Sequence, residues 1–315
     1  MATCLITGGA GNIACRLSHS LARSYERVVL WDVAPAPVGD VGPGAVFERG
    51  DVCDDAALEE AFARHRPAAV IHLASLLSAS CEADRPRAWR VNMDGAFALF
   101  EATLRHGRPT VLFTSSVAAM GGGADEVLTD ATPQWPGTLY GVTKMAVERL
   151  GTYYHARHGL DFRCLRLPIT VSRDAPAGAA SALASRAFLE AAWWGRFTFA
   201  ARPDRRLAIV SVRDVVSGLA GLLASPGAAL TRRVYSIGGQ TTTPAEIAAV
   251  IRRRLPAAEI DFAPDATVDA VLASWPGAVD DAAARRDWGW QPRHDLAAMA
   301  DDLIDIALEE RGAAR

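Results

Sequence analysis

The fold is decided near the amino terminus, where Thr3-Cys4-Leu5-Ile6-Thr7 is followed by Gly8-Gly9-Ala10-Gly11-Asn12-Ile13-Ala14. A short apolar run that ends in glycine is typical of a buried parallel strand, and a helical pattern begins directly behind the glycines. Glycine at positions 8 and 11 lets the turn tighten, so that backbone N–H groups approach a pyrophosphate at the positive end of the helix. Ala14 takes the third place of the glycine pattern and still permits close packing of helix on strand. The stretch therefore predicts a dinucleotide-binding turn.

The next predicted strand, residues 27–31, ends in Asp32. A carboxylate at this place accepts hydrogen bonds from the adenosine ribose hydroxyls and repels a 2′-phosphate, so it favours NAD over NADP. A solvated strand end or a helix cap would explain an isolated aspartate equally well. The glycine turn, the strand and the aspartate together predict NAD as the cofactor.

Two polar residues on the following strands have competing interpretations. Asp51, near the end of a strand predicted over 45–52, could accept a hydrogen bond from the adenine amino group. Capping of the helix predicted over 54–64 is an equally plausible role for it. His72 lies inside the apolar run 68–75, a fourth predicted strand, and is interpreted as a hydrogen-bonded structural histidine and not as a metal ligand or base.

Strand and helix patterns alternate through the first 170 residues, with further strands predicted over 110–116 and 161–167. This alternation predicts an α/β fold with a Rossmann-type, doubly wound parallel sheet. Ligands of such sheets bind at the carboxyl ends of the strands. Five residues that are far apart in sequence are therefore expected to share one site: Gly8, Asp32, Ser75, Ser116 and Pro168.

The pattern changes after residue 170, to a loop rich in Ala, Pro and Gly and then to mostly helical segments. One of these helices begins with a capping signal, in which Thr243 precedes Pro244 and Glu246 follows in the first turn. We expect residues 1–170 to form the dinucleotide-binding domain, with 207–240 contributing to it. Residues 171–206 and 241–315 are expected to form a smaller, mostly helical substrate-binding lobe.

A tyrosine and a lysine are four positions apart, Tyr140 and Lys144, near the start of an amphipathic run that reaches Tyr154. At this spacing the two side chains lie one turn apart on the same helix face. A free phenol loses its proton only near pH 10, but a fixed ammonium group nearby favours the phenolate and lowers that pKa. The pair is therefore a candidate acid/base, although an ordinary exposed Tyr and Lys would show the same pattern.

The bulk composition limits the partners. The 315 residues include 33 Lys plus Arg and 36 Asp plus Glu, for a net charge of −3, and there is no basic tract. We therefore expect neither nucleic acid nor an anionic membrane as the main partner. The amino terminus enters an apolar strand at once, and no run approaches a membrane-spanning length, so a cytoplasmic location is expected.

The cysteines predict free thiols. They are odd in number and have no CxxC pairing, which argues against both a disulfide framework and a zinc site. We therefore expect no metal, and buried or partly buried thiols at five positions: Cys4, Cys15, Cys53, Cys81 and Cys164.

The glycine turn, Asp32, Ser115-Ser116 and Tyr140-x-x-x-Lys144 occur in the order found in the extended short-chain dehydrogenase/reductase family, which the chain resembles over its whole length. The resemblance implies a Rossmann fold that binds NAD, with Ser116, Tyr140 and Lys144 as the catalytic trio. It implies Tyr140 as the acid/base, Lys144 on the nicotinamide ribose and Asn92 as a support of the site. The expected cofactor contacts are Gly8, Gly11, Asn12, Ile13, Asp32, Asp51, Val52, Leu73, Ala74, Ser75, Asn92, Thr114, Tyr140, Lys144 and Leu167.

Three further segments are similar to the short-chain type of L-threonine 3-dehydrogenases: residues 72–79, residues 88–95 and the segment from Ser274 to Trp290. This similarity implies that Ser78, Ser116, Tyr140, Ser181 and Trp275 contact the substrate. Packing between the lobes is an alternative role for Trp275, and packing is the expected role of Trp288 and Trp290.

The chain also departs from those enzymes. It has Ile169 where they usually carry glycine, and its loop Gly178-Ala179-Ala180-Ser181-Ala182 keeps one hydroxyl where they usually have two threonines. Such a loop is similar to that of relatives that oxidise D-erythronate.

The expected reaction is NAD-dependent oxidation of the secondary alcohol of a small 2-amino- or 2-hydroxy-acid, with L-threonine to 2-amino-3-oxobutanoate as the first choice. A D-erythronate-type dehydrogenase is one alternative. A nucleotide-sugar epimerase or dehydratase, for which Arg202, Arg205 and Arg206 could bind a diphosphate, is another, and a non-catalytic NAD-binding regulator is a third. The resemblance also implies a homodimer that pairs through the helices matching 90–106 and 139–157.

Overall fold

The computed structural model describes residues 2–121, 127–129, 131–175 and 179–313. The strands in this part of the chain are β1 Thr3–Thr7, β2 Arg27–Asp32, β3 Ala45–Arg49, β4 Ala69–His72, β5 Thr110–Ser116, β6 Val127–Leu128, β7 Phe162–Leu167, β8 Ile169–Val171, β9 Arg196–Phe199, β10 Leu207–Ser211, β11 Val234–Ser236, β12 Gln240–Thr242, β13 Glu259–Phe262 and β14 Ala278–Val279. The α-helices are α1 Asn12–Leu21, α2 Asp55–His65, α3 Ser78–Ala83, α4 Arg85–Trp89, α5 Gly95–Arg105, α6 Leu139–His158, α7 Leu183–Trp194, α8 Val212–Ala224, α9 Pro244–Arg254, α10 Ala266–Ala273, α11 Ala282–Trp288 and α12 Leu296–Ala313.

Seven strands form one parallel sheet in the order β11-β7-β5-β4-β1-β2-β3. The strand order reverses at β1, which pairs with β2 on one side and β4 on the other. A crevice therefore opens between the carboxyl ends of β1 and β4, the place where ligands bind to doubly wound sheets. The predicted α/β fold with a Rossmann-type sheet is confirmed.

The sheet is covered on both faces. Side chains alternate along β1, so that Ile6 packs in a cluster with residues of α1 and α8, whereas Leu5 packs in a cluster with residues of α2, α5 and α6. Strands that are buried on both faces need the near-continuous apolar runs seen in this sequence. The core therefore holds the strand ends at fixed relative positions, which a site assembled from several strands requires.

Two strands are shorter than their apolar runs suggested. The third strand ends at Arg49 and not at 52, because the chain turns at Gly50, where a Cβ atom would lie 2.0 Å from the indole ring of Trp31. The fourth strand ends at His72, after which the chain enters the loop that leads to α3.

Most of the second half packs around its own hydrophobic cluster, built on α7, α9 and α12. The helices and the capping box at Thr243 agree with the sequence analysis. The parallel pair β9–β13 was missed, because four-residue strands carry too little periodic signal. β10 contributes to both clusters, Ile209 to this one and Val210 to the cluster beneath the sheet. The domain boundaries given above stay a prediction.

Among the described residues, no helix combines the length and the apolar character needed to cross a bilayer. The five cysteines are free, four of them buried and Cys53 exposed. Within the same part of the chain, no group of three or more His, Cys, Asp or Glu side chains is arranged to hold a metal ion.

Candidate active site

A cavity of about 880 Å³ runs along the carboxyl ends of the central strands. It brings together nearly all the residues that the sequence analysis assigned to cofactor or substrate, although they come from positions 8 to 275 of the chain. The predicted site residues that line it are Gly8, Gly11, Asn12, Ile13, Asp32, Asp51, Val52, Leu73, Ala74, Ser75, Ser78, Thr114, Ser116, Tyr140, Lys144, Leu167, Ser181 and Trp275.

The glycine turn at one end of the cavity is tightly built. Gly8 has φ +70°, and a Cβ there would lie 2.6 Å from the backbone nitrogen of Ala74, so no larger residue fits. The turn is closed by a 3.1 Å hydrogen bond from Gly11 N to the Gly8 carbonyl. The first N–H groups of α1, at Asn12 and Ile13, have no intrahelical acceptor and are available to an anion. These features fit a bound pyrophosphate.

The side chain of Asn12 is already engaged. Its Nδ2 donates to Ser172 Oγ at 2.7 Å, and its Oδ1 accepts from Arg16 Nε at 2.7 Å. Asn12 therefore offers the cavity its backbone N–H, while its amide ties the start of α1 to the segment after β8. The sequence could not reveal this contact, because its partners are 160 residues apart.

Asp32 is held in place by its neighbours. One carboxylate oxygen accepts from Ala10 N and the other from Ala34 N, each at 3.0 Å. The half-buried carboxylate keeps further lone pairs toward the cavity, which fits recognition of ribose hydroxyls. Asp51 lies at the rim, and its side chain accepts a local bond from Cys53 N, at 2.9 Å. The helix-capping interpretation of Asp51 is wrong, because Asp54 caps α2.

Tyr140 lies in the first turn of α6, which Thr138 caps through a 3.1 Å bond from Gly141 N. Its phenol hydrogen-bonds with Ser116, whose Oγ also accepts from Ala118 N at 3.1 Å. The helix cap and the turn after β5 therefore fix the relative positions of Tyr140 and Ser116.

Lys144 is buried one turn further along α6. Its Nζ donates to the Thr114 carbonyl at 2.9 Å, lies 4.7 Å from the Phe113 ring centre and lies 5.5 Å from the centre of the Tyr140 ring. Lys144 is also the only lysine of the sequence, which contains 32 arginines. Because nearly every other basic residue is arginine, the lysine at this position indicates a role that needs a compact, titratable ammonium.

The pKa values differ from the expectation for an isolated pair. Burial raises the pKa of the Tyr140 phenol, and the Ser116 hydrogen bond lowers it only in part. Burial also lowers the pKa of Lys144, to about 8. The expected lowering of the phenol pKa by Lys144 is not present in the protein alone, because the ammonium faces the ring and the Thr114 carbonyl and both groups are desolvated.

Asn92 is not among the residues that line the cavity, and its direct contact with the cofactor stays a prediction. It lies in a π-helical turn, Arg90–Asp94, between α4 and α5. Its amide donates to the Leu76 carbonyl and to Thr143 Oγ1, both at 3.1 Å, and its oxygen accepts from Leu76 N at 2.8 Å. Asn92 therefore joins the loop after β4 to α6, two walls of the cavity.

His72 is structural, as predicted. The buried ring bonds through Nδ1 to Thr7 Oγ1 at 2.7 Å, and burial lowers its pKa to about 3. The imidazole therefore stays neutral over the physiological pH range.

The substrate candidates lie on separate elements. Ser78 begins α3, Ser181 lies in the short 3₁₀ turn before α7, and Trp275 follows α10. Trp275 lines the cavity and also packs on two hydrophobic clusters, so both of its proposed roles are compatible with its position. Gly178 of the substrate loop lies outside the described residues. Trp290 is buried and donates to Asp281 and Gly238, and it packs with Trp288 beneath the sheet.

Several lining residues were not predicted. Arg87 and Arg90 border the cavity, and Thr170 and Ser172 add hydroxyls on the side of β8. Single exposed arginines give no periodic signal, so the sequence offered no means of finding them. Arg202 and Arg205, in contrast, do not line the cavity and pair with Asp204 and Asp269.

Comparison with known proteins gives consistent similarities. A family model described as "NAD dependent epimerase/dehydratase family" matches residues 4–238. The chain is 32% identical to bovine (Bos taurus) mitochondrial L-threonine 3-dehydrogenase, over 99% of this chain and 84% of that protein. It superposes on the structure of an L-threonine dehydrogenase from Clostridium difficile with a TM-score of 0.92 and 29% identity, over 99% of both chains. For a GalE-like L-threonine dehydrogenase from Cupriavidus necator in its holo form, the TM-score is 0.89 with 32% identity, over 96% of this chain and 99% of that one.

Proposed function

Because this chain belongs to the NAD-dependent epimerase/dehydratase family, we propose that it oxidises L-threonine to 2-amino-3-oxobutanoate with NAD. The observation that carries the proposal is the meeting of Ser116, Tyr140 and Lys144 in one cavity with the glycine turn and Asp32. The predictions of the family, of NAD as cofactor and of an oxidoreductase acting on CH–OH groups are confirmed.

The cavity offers a polar group for the pyrophosphate and for each ribose of the dinucleotide. The N–H groups at the start of α1 would bind the pyrophosphate, Asp32 would accept from the adenosine ribose, and Lys144 would donate to the nicotinamide ribose. Bound NAD would supply the acceptor for the hydride that leaves the carbinol carbon of the substrate. Lys144 uses one of its three N–H donors on the Thr114 carbonyl, so two remain for the cavity.

The chain's own residues handle the proton. Tyr140 takes the proton of the substrate hydroxyl, and Ser116 donates a hydrogen bond to the oxygen as it becomes a carbonyl. Because burial raises the pKa of the phenol, positive charge at Lys144 is needed to favour the phenolate. With its pKa near 8, Lys144 is mostly charged at neutral pH.

The residues assigned to the substrate that line the cavity include two neutral hydroxyl donors, Ser78 and Ser181, and the indole of Trp275. This combination suits a small acid with a hydroxyl near its carboxylate. It suits L-threonine and D-erythronate alike, and the family resemblance favours L-threonine.

A single assay separates the candidate functions. The purified protein with NAD is offered L-threonine, D-erythronate or a UDP-sugar, and NADH absorbance is followed. We expect NADH to accumulate with L-threonine. Accumulation of NADH with D-erythronate alone would identify D-erythronate, and not L-threonine, as the substrate. Conversion of the UDP-sugar without net formation of NADH would identify an epimerase. Binding of NAD without turnover of any of the three would indicate the non-catalytic regulator.

The structure gives the epimerase alternative little support. Neither Arg202 nor Arg205 reaches the cavity, and each is paired with a carboxylate. Arg206 also lies outside the cavity lining. A nucleoside diphosphate would therefore lack the basic residues proposed for it.

Replacing Asp32 by asparagine should relax the preference for NAD. The substitution removes the negative charge that repels a 2′-phosphate, and such like-charge contacts cost several kcal/mol. We expect the NAD/NADP ratio of kcat/KM to fall by roughly tenfold or more. Asp51→Asn at the rim is the matched control and should leave the ratio nearly unchanged. An unaltered ratio in Asp32→Asn would remove this residue from cofactor selection.

We also propose a homodimer that pairs through α5 and α6. Phe97 and Tyr153 are 50% and 51% exposed and both contact the ring of Tyr154, so large apolar side chains lie together on this face. In sedimentation velocity, the protein should run as a dimer and Phe97→Glu as a monomer. Val38→Glu, on an exposed loop, is the control and should stay dimeric. A monomeric parent protein would contradict the proposal. The cytoplasmic location stays a prediction.

A further inference from the structure

A buried ion pair begins one helical turn beyond Lys144 on α6. Glu148, one helical turn further along α6, is 1% exposed and accepts two hydrogen bonds from Arg166 of β7. The distances are 2.8 Å from Nε to Oε1 and 2.6 Å from the terminal nitrogen to Oε2. Gln134 donates a third bond to Oε2 at 2.8 Å. The carboxylate is therefore held in one orientation without contact with water.

Stability alone is a weak reason to keep such a pair. Removing two charges from water is costly, and hydrophobic residues of similar volume often replace a buried ion pair without loss of stability. Lys144 and Glu148 are at i and i+4 on one helix face, where side chains are neighbours. The position of the pair points to an effect on Lys144.

The other titratable groups that face Lys144 are uncharged. Cys164 on β7 and Cys81 on α3 are near it, but burial raises the pKa of both thiols. His72 on β4 is neutral, because burial lowers its pKa to about 3. On α6 itself, Tyr140 is protonated in the protein alone. Glu148 is thus the negative charge on the helix face of Lys144, and it opposes the lowering of the Lys144 pKa by burial. The positive charge of Arg166, on the strand that Glu148 faces, weakens this effect.

Arg166 has a separate effect. By occupying both oxygens of Glu148 it prevents a direct Glu148–Lys144 ion pair, which would draw the ammonium away from the cavity. Nζ instead lies on the Thr114 carbonyl, at the cavity wall.

We propose that Glu148 and Arg166 are positioning residues: the Glu148 carboxylate stabilises the ammonium of Lys144, and Arg166 holds that carboxylate so that the ammonium stays at the cavity wall, facing the cofactor. The kinetic part of this inference rests on the proposed function. The electrostatic part concerns the protein without substrate and can be measured by itself.

The test uses the fact that Lys144 is the only lysine. Protein labelled with [¹³Cε]-lysine gives one lysine signal, and its shift against pH reports the titration of Lys144 directly. In Glu148→Gln the carboxylate is removed while the positive charge of Arg166 remains, and we expect the titration midpoint of Lys144 to fall by about one pH unit. Arg186→Gln/Glu190→Gln removes an ion pair on α7 and should leave the midpoint unchanged. If Glu148→Gln does not fold, Glu148→Leu/Arg166→Met replaces the pair by apolar side chains, and the midpoint should fall by less, because the opposing charge of Arg166 is lost as well.

A midpoint that stays in place or rises in the folded variant would overturn the proposal. The kinetic readout is the alkaline limb of the kcat profile. Lys144 acts while protonated, so lowering its pKa should shift the pH at which kcat falls. The shift should equal the change in the titration midpoint of Lys144. An active parent protein with an unshifted limb in the variant counts against the positioning role, whereas an inactive parent protein counts against the proposed function only.

Discussion

Replacing Tyr140 by phenylalanine should lower kcat for L-threonine oxidation by roughly 10²–10⁴-fold, the contribution of a positioned acid/base. The substitution removes one oxygen atom and keeps the ring, which lies at the start of α6 between Ser116 and Lys144. NADH formation measures kcat, and a fluorescence titration with NADH measures cofactor affinity. We expect affinity to change little, because the N–H groups of the glycine turn and Asp32 are untouched.

The matched control is Tyr153→Phe, on the same helix. Tyr153 is 51% exposed and lies outside the cavity, so this variant should keep the parent kcat. If Tyr140→Phe retained activity within about threefold, another group would have to accept the proton. A large loss of NADH affinity in Tyr140→Phe would instead indicate that the phenol acts mainly in cofactor binding.

The assembly of this site was predictable where its parts belong to single elements. A strand, a glycine turn and a helix follow one another without interruption at residues 3–21, so the local sequence pattern is sufficient to predict the dinucleotide-binding turn. The residues at strand ends were also predictable as a group. Parallel strands present their carboxyl ends at one edge, which places Asp32 and Ser116 together whatever the loops between them do.

Contacts between distant elements were not predictable. Nothing in the sequence indicates that Asn92 bonds Leu76 and Thr143, or that the amide of Asn12 is occupied by Ser172. The pKa of Tyr140 was misjudged for the same reason. The spacing of Tyr and Lys gives their common helix face, but burial and the direction of the ammonium depend on β5, which the helix packs against.

One sequence signal can be interpreted once the fold is known. A chain with 32 arginines and one lysine keeps that lysine four residues after Tyr140, and Glu148 follows at the same spacing. Regular spacing therefore placed Tyr140, Lys144 and Glu148 on one helix face. The missing information was the partner strand, β7, which supplies Arg166.

The close approach of α6 to the turn after β5 gives a second large effect. Gly141 lies beside the Ala118 carbonyl, and a Cβ on Gly141 would be 2.2 Å from that oxygen. Gly141→Ala should therefore push the start of α6 away from the segment that carries Ser116. Overpacking of this kind costs about 1–3 kcal/mol of stability. A displacement of about 1 Å between Tyr140 and Ser116 should lower kcat by about 10²-fold.

Gly137→Ala is the matched control, because it places the same methyl group four residues earlier, where a Cβ meets nothing within 4 Å. Urea unfolding should show Gly137→Ala to be as stable as the parent, or more stable by up to about 1 kcal/mol, since alanine restricts the unfolded chain. Its kcat should be unchanged. Parent-like kcat in Gly141→Ala would mean that the trio tolerates movement of the helix, and that the phenol acts without a fixed distance to Ser116. Loss of kcat with only a small loss of stability would show that the glycine is needed for the geometry of the site and not only for the fold.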